Sequence, residues 1–356
     1  MKDSRWRGPL LVGWLTALPL LVMGGTEVYV PLGSANAIAV VDADADRVVA
    51  EIPEVNASHG LAVSWDGRYL VAGSLLEHPK GDPPPKPKDM SEEEHASHHA
   101  SPKGASAKAL GKAQSSGMVY LIDAKARRIL RHIDVPGAVH HALVTPDGHY
   151  AVVTHPGRGS VSIIDIHGHK LHKELPTGLT PNYVVTKRDG TRVYVSNAGD
   201  GTISEIDPVE WTVLRKLPAG KTPEHLVLSP DERYLYAANP TVGTVSRIDL
   251  ELGEVTQRYG VGGEPHGVDL SDDGRLLYAS NKADNKLVVF NLASDERRSV
   301  TLVPAPYHVA TVRGTGKVYV SSRKEPKIWV LDQQTLAVRG EIPIRGEGHE
   351  MGVINR

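Results

Sequence analysis

Histidine occupies one recurring position in this sequence, and imidazole side chains are common metal ligands. Turns stand at Asp66, Asp147, Asp273 and Thr315, and the residue seven positions before each turn is a histidine. These residues are His59, His140, His266 and His308, and His349 holds the same place in the last repeat. Neutral imidazoles brought together from these positions would form a site for Cu, Zn, Fe or Ni.

The spacing of these histidines follows from an internal repeat. A five-residue pattern ending in Asp or Asn, such as "VSIID" and "VSRID", recurs at intervals of 81, 42, 42, 42, 42 and 41 residues. Its last residues are Asp42, Asp123, Asp165, Asp207, Asp249, Asn291 and Asp332. Each unit also holds a Gly/Asp turn followed by a strand such as "RVYVSN", so each is predicted to form four short strands. Four strands at this period indicate a β-propeller blade.

The number of units predicts an all-β, seven-bladed propeller. Six units begin at or near His59, His140, Asn182, His225, His266 and His308, and a seventh begins at His349 with a single strand. The missing strands are predicted in "EVYVPL", "NAIAVVD" and "RVVAEI", so N- and C-terminal strands would close the last blade jointly. Because innermost strands line the central channel, their histidines would converge, with His141 and His225 displaced by one residue.

Two of these units carry a family resemblance. The segments "RVYVSN…GTISEID" and "YLYAAN…GTVSRID" resemble the YVTN family of repeat propellers. The resemblance extends over residues 26–356, which are expected to form one propeller domain. It implies the fold rather than an activity, because such propellers host many unrelated functions.

A second resemblance concerns the histidines themselves. The segment "EPHGVDLSDDGRLLYAS" is similar to the Pro-His-Gly segments of nitrous oxide reductase and thiocyanate dehydrogenase. It implies a copper-binding propeller in redox catalysis or metal handling, with copper held by His59, His140, His266, His308 and His349 and by His225 or His141. The binuclear-copper domain of nitrous oxide reductase has no counterpart here, and the units at Asn182 and Glu224 interrupt the ring. Full nitrous oxide reductase activity is therefore not expected.

An alternative resemblance is to the haem-binding propellers of the dissimilatory nitrite reductase group, including proteins that mature its haem. This resemblance implies that one or two histidines serve as axial ligands of haem. Basic residues such as Lys282 or Arg323 would then hold the haem propionates. Because this alternative uses fewer of the histidines, copper is the first prediction and haem the second.

Two further alternatives use none of the histidines as ligands. A non-catalytic protein-binding scaffold would carry them as inherited turn residues. A lactonase-like hydrolase would use Glu224, Glu264 or Glu347 as general acid or base. Metal binding by the histidines separates the first prediction from both.

Composition limits the cofactors and partners. The chain has 356 residues and a formal net charge of −2, so neither a nucleic-acid partner nor an anionic membrane surface is expected. It contains no cysteine, which excludes disulfides, thiolate ligands and covalently attached c-type haem. The expected partners are a metal ion and, for redox chemistry, an external electron carrier.

Two segments are predicted to lie outside the propeller. Residues 1–25 combine basic residues with an apolar stretch and resemble a signal peptide or an uncleaved anchor, which predicts a periplasmic or secreted protein. Residues 75–116 are rich in Pro, Lys, Glu and His and are predicted to be a disordered insertion in blade one. Its residues His95, His98 and His99 would capture or deliver metal, unless they are stray histidines of a solvated linker.

Overall fold

The computed structural model describes residues 25–79, 115–294 and 296–354. The predicted signal segment, apart from Gly25, lies outside the described residues, and so do His95, His98 and His99 of the predicted insertion. Among the residues that are described, no helix combines the length and apolar character needed to cross a membrane.

Short strands make up almost all of the regular structure. In chain order they are β1 Glu27–Leu32, β2 Ala37–Asp42, β3 Arg47–Pro53, β4 Ser58–Val63, β5 Tyr69–Ser74, β6 His78–Pro79, β7 Ser115–Asp123, β8 Arg128–Pro136, β9 Ala142–Val144, β10 Tyr150–His155, β11 Ser160–Asp165, β12 Lys170–Pro176, β13 Pro181–Thr186, β14 Val193–Asn197, β15 Thr202–Asp207, β16 Thr212–Pro218, β17 Leu226–Leu228, β18 Tyr234–Asn239, β19 Thr244–Asp249, β20 Glu254–Gly260, β21 Pro265–Leu270, β22 Leu276–Asn281, β23 Lys286–Asn291, β24 Arg297–Thr301, β25 Pro306–Val312, β26 Lys317–Ser322, β27 Lys327–Asp332, β28 Val338–Pro343 and β29 Gly352–Ile354. Two single 3₁₀ turns, at Gly33–Ala35 and Pro240–Val242, are the helical elements of the described ranges.

The strands form seven antiparallel sheets, which confirms the predicted seven-bladed propeller. Blade one contains β4, β5, β7 and β8, with β6 as an additional short strand paired to β7. Blades two to six each contain four consecutive strands, from β9 to β28. Blade seven contains β29, β1, β2 and β3. The innermost strands are therefore β4, β9, β13, β17, β21, β25 and β29. We call the face where the chain enters these strands the top face, and the opposite face the bottom face.

Blade seven closes the ring with strands from both ends of the described chain, as predicted. Strand β29 pairs with β1 through Glu27 and Ile354, Val28 and Val353, and Tyr29 and Gly352. An isolated bridge between Leu32 and Gly348 continues this pairing towards the top face. The closure covers the inner side of β1 with β29, so β1 does not lie at the edge of its sheet.

The core consists of apolar layers between neighbouring blades. In one such layer, Val30 and Val41 of blade seven cluster with Tyr319 and Val330 of blade six, and all four side chains are at most 1% exposed. Burial of each such side chain contributes about 1.5–3 kcal/mol. These layers fix the angle between blades and therefore the positions of the inner strands around the axis.

The predicted insertion leaves and re-enters the fold between the second and third strands of blade one, β5 and β7. The predicted range of 75–116 includes residues that the structure places in strands. Strand β6 pairs with the start of β7 through His78 and Ser116, and Pro79 and Ser115. The described part of this segment thus extends blade one at its top edge.

Neighbouring inner strands approach each other closely beside two of the histidines. A Cβ atom added at Gly60 would lie 2.4 Å from the carbonyl oxygen of His140. A Cβ atom at Gly267 would lie 2.6 Å from the carbonyl oxygen of Tyr307. Neither glycine has a positive φ, so close packing of backbones, and not a turn, requires glycine there.

We predict that Gly267→Ala lowers the free energy of unfolding by about 1–3 kcal/mol, because the inner strand of blade six must move to admit the methyl group. Urea unfolding followed by far-UV circular dichroism would measure this. Gly340→Ala is the matched control, since a Cβ atom there meets nothing within 4 Å. Its effect should stay within about 0.5 kcal/mol. Equal losses in both variants would contradict the close-packing argument.

Candidate metal centre

We call the top-face end of an inner strand its head. Regular pairing is interrupted at the heads of four inner strands, where the predicted site residues lie. In blade one, Ser58 pairs with Ser74 but the next pair is Leu61 with Ala72, so β4 carries one extra residue. The same shift of register occurs at His266-Gly267, at Asn182-Tyr183 and at Tyr307-His308. Bulges of this kind bend a strand and change the direction of its side chains. Here they coincide with the heads of the inner strands, beside the axis.

A hydroxyl group on the second strand of a blade holds the inner-strand head in place. The Thr154 hydroxyl oxygen accepts a hydrogen bond from the His141 N–H at 3.0 Å and donates one to the Asn182 carbonyl at 2.8 Å. Ser196 and Ser280 make the equivalent pair of bonds in blades three and five. Each hydroxyl therefore joins the head of its own inner strand to the head of the next.

Seven histidines converge at the top of the channel, and we call them the histidine cluster. They are His59, His140, His141, His225, His266, His308 and His349. Each is at most 3% exposed. Burial of this many imidazoles in one place is unusual for side chains with two polar atoms, because each ring nitrogen needs a hydrogen bond or a metal when water is excluded.

One half of the histidine cluster is centred on His59. The centroid of its ring lies 4.5 Å from that of His140, 5.1 Å from that of His141 and 4.3 Å from that of His349. These residues come from blades one, two and seven. The closure of the ring thus brings a histidine from one end of the repeat array against a histidine from the other.

The other half of the histidine cluster is centred on His225. Its ring centroid lies 4.2 Å from that of His266 and 4.7 Å from that of His308. The two halves touch, because the His141 and His225 rings are 4.9 Å apart and the His59 and His308 rings 6.0 Å apart. The cluster is therefore continuous across the channel.

Three sets of three histidines bring one ring nitrogen of each member within 4.8 Å of the others. The sets are His59, His308 and His349; His59, His140 and His141; and His225, His266 and His308. Three nitrogens at such separations could bind one metal ion after small side-chain movements. Because His59 and His308 each belong to two sets, the sets form one continuous array of donors.

Two buried glutamate side chains orient histidines of the cluster. Glu350 Oε2 lies 3.1 Å from Nδ1 of His141, and Glu224 Oε2 lies 3.2 Å from Nδ1 of His266. When Nδ1 donates to a carboxylate, Nε2 is left as the electron-pair donor. Histidines that bind metals are commonly held in this way.

Burial controls the charge of the site. It lowers the pKa of His349 to about 3 and that of His225 well below its ordinary value. Burial also raises the pKa of Glu224 to about 7 and that of Glu350 to about 8. The imidazoles of His225 and His349 are consequently neutral at neutral pH, and their lone pairs are ready to bind a cation without first losing a proton.

Two tyrosines form walls of the histidine cluster. The Tyr307 ring is parallel to that of His266, with centroids 4.0 Å apart, and the Arg323 guanidinium lies 5.5 Å from the Tyr307 centroid. The Tyr183 ring is stacked on that of His225 at 4.5 Å. Both tyrosines limit the rotation of a histidine ring that they cover.

The predicted haem-propionate residues lie beside the cluster and are engaged in ion pairs. Lys282 Nζ is 3.4 Å from a carboxylate oxygen of Glu264, and the Arg323 guanidinium pairs with Glu347. The positive charges of Lys282 and Arg323 both contribute to the lowered histidine pKa values of the cluster. Each cation therefore acts electrostatically on the site from a position next to a carboxylate.

The structure brings together all of the histidines predicted as metal ligands and adds His141 as a full member. In the two blades where the sequence pattern is interrupted, Glu224 becomes a partner of His266, and the Asn182 carbonyl lies 3.5 Å from Nδ1 of His140. Sequence reasoning missed the roles of Glu350 and Tyr183. Each directly follows the head residue of its repeat. His141 and His225 hold the same position in blades two and four, so this correspondence could have indicated that Glu350 and Tyr183 face the cluster.

His155 lies apart from the cluster and is structural. Its Nε2 is 2.8 Å from the Ser162 hydroxyl. The side-chain amide of Asn197 donates to Ser204 at the same place in blade three. His155 thus substitutes for the asparagine of the repeat, and burial lowers its pKa to about 4.

Comparisons with known proteins agree with this architecture. Residues 187–246, in blades three and four, match the family model of the YNCE-like β-propellers. By its fold, the chain is a seven-bladed β-propeller. No curated protein matches this propeller in sequence.

Solved structures similar to this propeller come from proteins of different function. Hydrazine synthase of Kuenenia stuttgartiensis is 18% identical, with a TM-score of 0.65, over 84% of this chain and 95% of that one. Dihydro-haem d1 dehydrogenase NirN, in complex with DHE, is 16% identical, with a TM-score of 0.62, over 89% of this chain and 63% of that one. The periplasmic gluconolactonase PpgL of Pseudomonas aeruginosa is 18% identical, with a TM-score of 0.69, over 92% and 99%. At these identities the similarity establishes the fold alone.

We predict that His155→Asn makes the metal-free propeller less sensitive to acid. The unfolded chain takes up a proton on this histidine as the pH falls below about 6.5, whereas the folded protein does so only near pH 4. The stability present above pH 6.5 is therefore lost between these values, by an amount on the order of 2 kcal/mol at pH 4.5. Asparagine does not titrate and is the residue of blades three, four and five.

Urea unfolding at pH 7 and pH 4.5 would test this, with the difference between the two pH values compared for wild type and variant. His149→Asn is the control, because the His149 side chain is 63% exposed. An identical pH-dependent loss in wild type and His155→Asn would contradict the prediction.

Proposed function

We propose that this propeller binds copper through the histidine cluster and acts in redox catalysis or in handling of the metal. The observation that carries the proposal is the convergence of seven buried histidines, each at most 3% exposed, at the head of the channel. A scaffold that only presents loops to a partner has no use for such an array. Packing alone would favour apolar side chains at these positions.

The donor set fits copper. Imidazole nitrogens suit copper and zinc better than magnesium or calcium, and copper binds such sites more strongly than the neighbouring divalent metals. The Nε2 atom of His225 is buried and has no hydrogen-bond partner among the described residues. A metal ion is a natural partner for a neutral ring nitrogen in that situation.

The chain's own residues would hold the metal and set the direction of its ligands. Glu350 and Glu224 would keep Nδ1 of His141 and His266 protonated, so that Nε2 points into the cluster. Tyr183 and Tyr307 would keep the rings from turning away. Copper, when bound, would exchange electrons between a substrate and an external carrier.

Haem is the second candidate, favoured by the cations beside the cluster and by the similarity in fold to NirN in complex with DHE. Lys282 and Arg323 lie next to Glu264 and Glu347, so propionate binding would require these ion pairs to exchange partners. One or two histidines of the cluster would serve as axial ligands. Copper uses more of the buried donors and is therefore the first proposal.

A lactonase-like activity would need a carboxylate near a substrate. Glu224 is buried against His266, while the side chains of Glu264 and Glu347 are 56% and 36% exposed and each contacts a cation. Because the fold is similar to that of a gluconolactonase, lactone hydrolysis is the activity to assay for this alternative. The gluconolactonase PpgL is described as periplasmic, and with the predicted signal segment this supports export as part of the proposal.

We predict that protein isolated from the exported fraction of its host contains copper, and that His266→Ala combined with His308→Ala lowers the copper content by about half or more. Two of the three donor sets lose ligands, while the set of His59, His140 and His141 stays intact. Elemental analysis with an absorption spectrum would measure the metal content. His149→Ala is the matched control, because this histidine is exposed and lies outside the cluster.

The outcomes distinguish the candidates. A Soret band in place of copper would transfer the proposal to haem. Absence of metal and pigment, even after reconstitution, would contradict metal binding and leave the scaffold or the hydrolase, and lactone hydrolysis assays would separate those two.

We predict that Glu350→Ala weakens copper binding about 10–100-fold, because His141 loses the partner of its Nδ1. Glu350→Gln should restore much of the affinity, since the amide oxygen can accept the same hydrogen bond. Competition titration with a copper chelator would measure the affinities. Glu264→Ala, at an exposed carboxylate, is the control and should change affinity by less than about threefold. Equal effects of Glu350→Ala and Glu350→Gln would argue against an orienting role.

A further inference from the structure

The central channel below the histidine cluster contains a cavity of about 410 Å³. Its lining extends to Trp65 and Arg313, which are exposed at the bottom ends of inner strands, so we infer that it opens towards the bottom face. Its walls are formed by the inner strands, from residues just below the histidines to residues at the bottom ends of the strands. Side chains along this path include Val63, Leu143, Val185, Val227, Val309 and Val353. Most of the side chains on the walls are therefore aliphatic.

The upper end of the cavity lies one layer of side chains below the histidine cluster. Tyr183 and Glu350 both line the cavity. The Tyr183 ring centroid is 4.6 Å from that of His141 and 4.5 Å from that of His225, and its side chain forms a hydrogen bond with Glu350. Glu350 in turn contacts Nδ1 of His141 at 3.1 Å. One layer of side chains, Tyr183 with Glu350, thus separates the cavity from the histidines.

The ionisable groups that line the cavity are Asp269, Arg313 and Glu350, and each has a partner within the wall or the cluster. Asp269 accepts a hydrogen bond from the Thr311 N–H at 2.7 Å and forms an ion pair with Arg313 at 3.0 Å. Neither charge is left over to bind an ion of opposite sign. The wall presents polar atoms but no unpaired charge. A charged molecule entering the channel would therefore lose hydration that the wall replaces only in part, whereas a small uncharged molecule would lose little.

We propose that the channel is the route and binding site of a small, uncharged substrate, which reaches the histidine cluster from the bottom face past Tyr183. The proposal rests on the proposed function, because it names the substrate class of that same site. It separates the two approaches to the cluster. Lys282, Arg323 and their carboxylate partners lie at the top. The path below is lined mostly by aliphatic side chains, and its Asp269 and Arg313 are paired with each other.

The test uses the absence of cysteine from the sequence. Val185→Cys places a single thiol in the wall of the channel, and Val209→Cys places one at a position that is 82% exposed. Rates of alkylation of the metal-free protein are measured with uncharged iodoacetamide and with anionic iodoacetate. The ratio of the first rate to the second should be at least about tenfold higher for Val185→Cys than for Val209→Cys, because the anion must be desolvated to enter the channel.

The second step asks whether the channel leads to the histidines. Diethyl pyrocarbonate, a small uncharged reagent, is applied to the metal-free protein, and modification of His141 and His225 is quantified by peptide mass spectrometry. Capping the thiol of Val185→Cys with N-ethylmaleimide should slow this modification at least about tenfold, and Tyr183→Leu should accelerate it. Capping the thiol of Val209→Cys should leave it unchanged.

Each contrary result overturns a part of the proposal. A thiol at position 185 that resists both reagents would mean that the channel is closed. Equal normalised rates for the two reagents would contradict an uncharged substrate. If N-ethylmaleimide on the thiol of Val185→Cys did not slow histidine modification, the reagent would be reaching the histidines from the top face. All of these measurements use metal-free protein, so their failure is distinct from failure to find copper.

Discussion

The arrangement of the whole molecule depends on the pairing of β29 with β1. Three residue pairs close the ring, and the circumference that they fix determines how near the seven inner strands come to one axis. An open array of the same blades would leave His349 far from His59, whereas in the closed ring their imidazole centroids are 4.3 Å apart. The site at the top of the channel is therefore a product of closure and not of any single blade.

Within the closed ring, three local features bring the side chains at the strand heads together. A one-residue bulge ends regular pairing at the site residue, a hydroxyl such as that of Thr154 ties one head to the next, and a glycine such as Gly60 lets adjacent backbones approach. Each feature is compatible with an ordinary propeller. In this chain they coincide with histidines, so the close approach that stabilises the ring also brings the imidazoles into contact.

The fold and much of the cluster could be predicted from the sequence, because the repeat fixes strand order and the offset from most turns fixes which residue heads an inner strand. In blade six the predicted offset is wrong by one residue, since Tyr307 occupies the position of His266 and His308 occupies the next one, where its N–H donates to Ser321 as that of Gly267 donates to Ser280. That reasoning placed His266 and His308 on the channel. It could not reveal the partners of the histidines, since Glu350 contacts His141 across 209 residues of sequence and the bond depends on the position of the closed blade. His155 shows that residue type alone is not sufficient. It is also a buried histidine at a strand end, but it occupies the position of the repeat's asparagine and lies outside the cluster.

The closure of the ring also determines at which stage of folding some contacts of the cluster can form. Glu350 accepts a hydrogen bond from the N–H of Leu61, a residue 289 positions earlier, and the neighbouring histidines of both segments share one donor array. None of these contacts exists in a chain that is still being synthesised or that is threaded through a membrane in extended form. The donor set of His59, His308 and His349 assembles only after the last blade has docked, whereas the other two sets come from blades that do not include it. Occupancy of that first set by a metal ion would therefore report that folding is complete, and opening of blade seven would take the set apart.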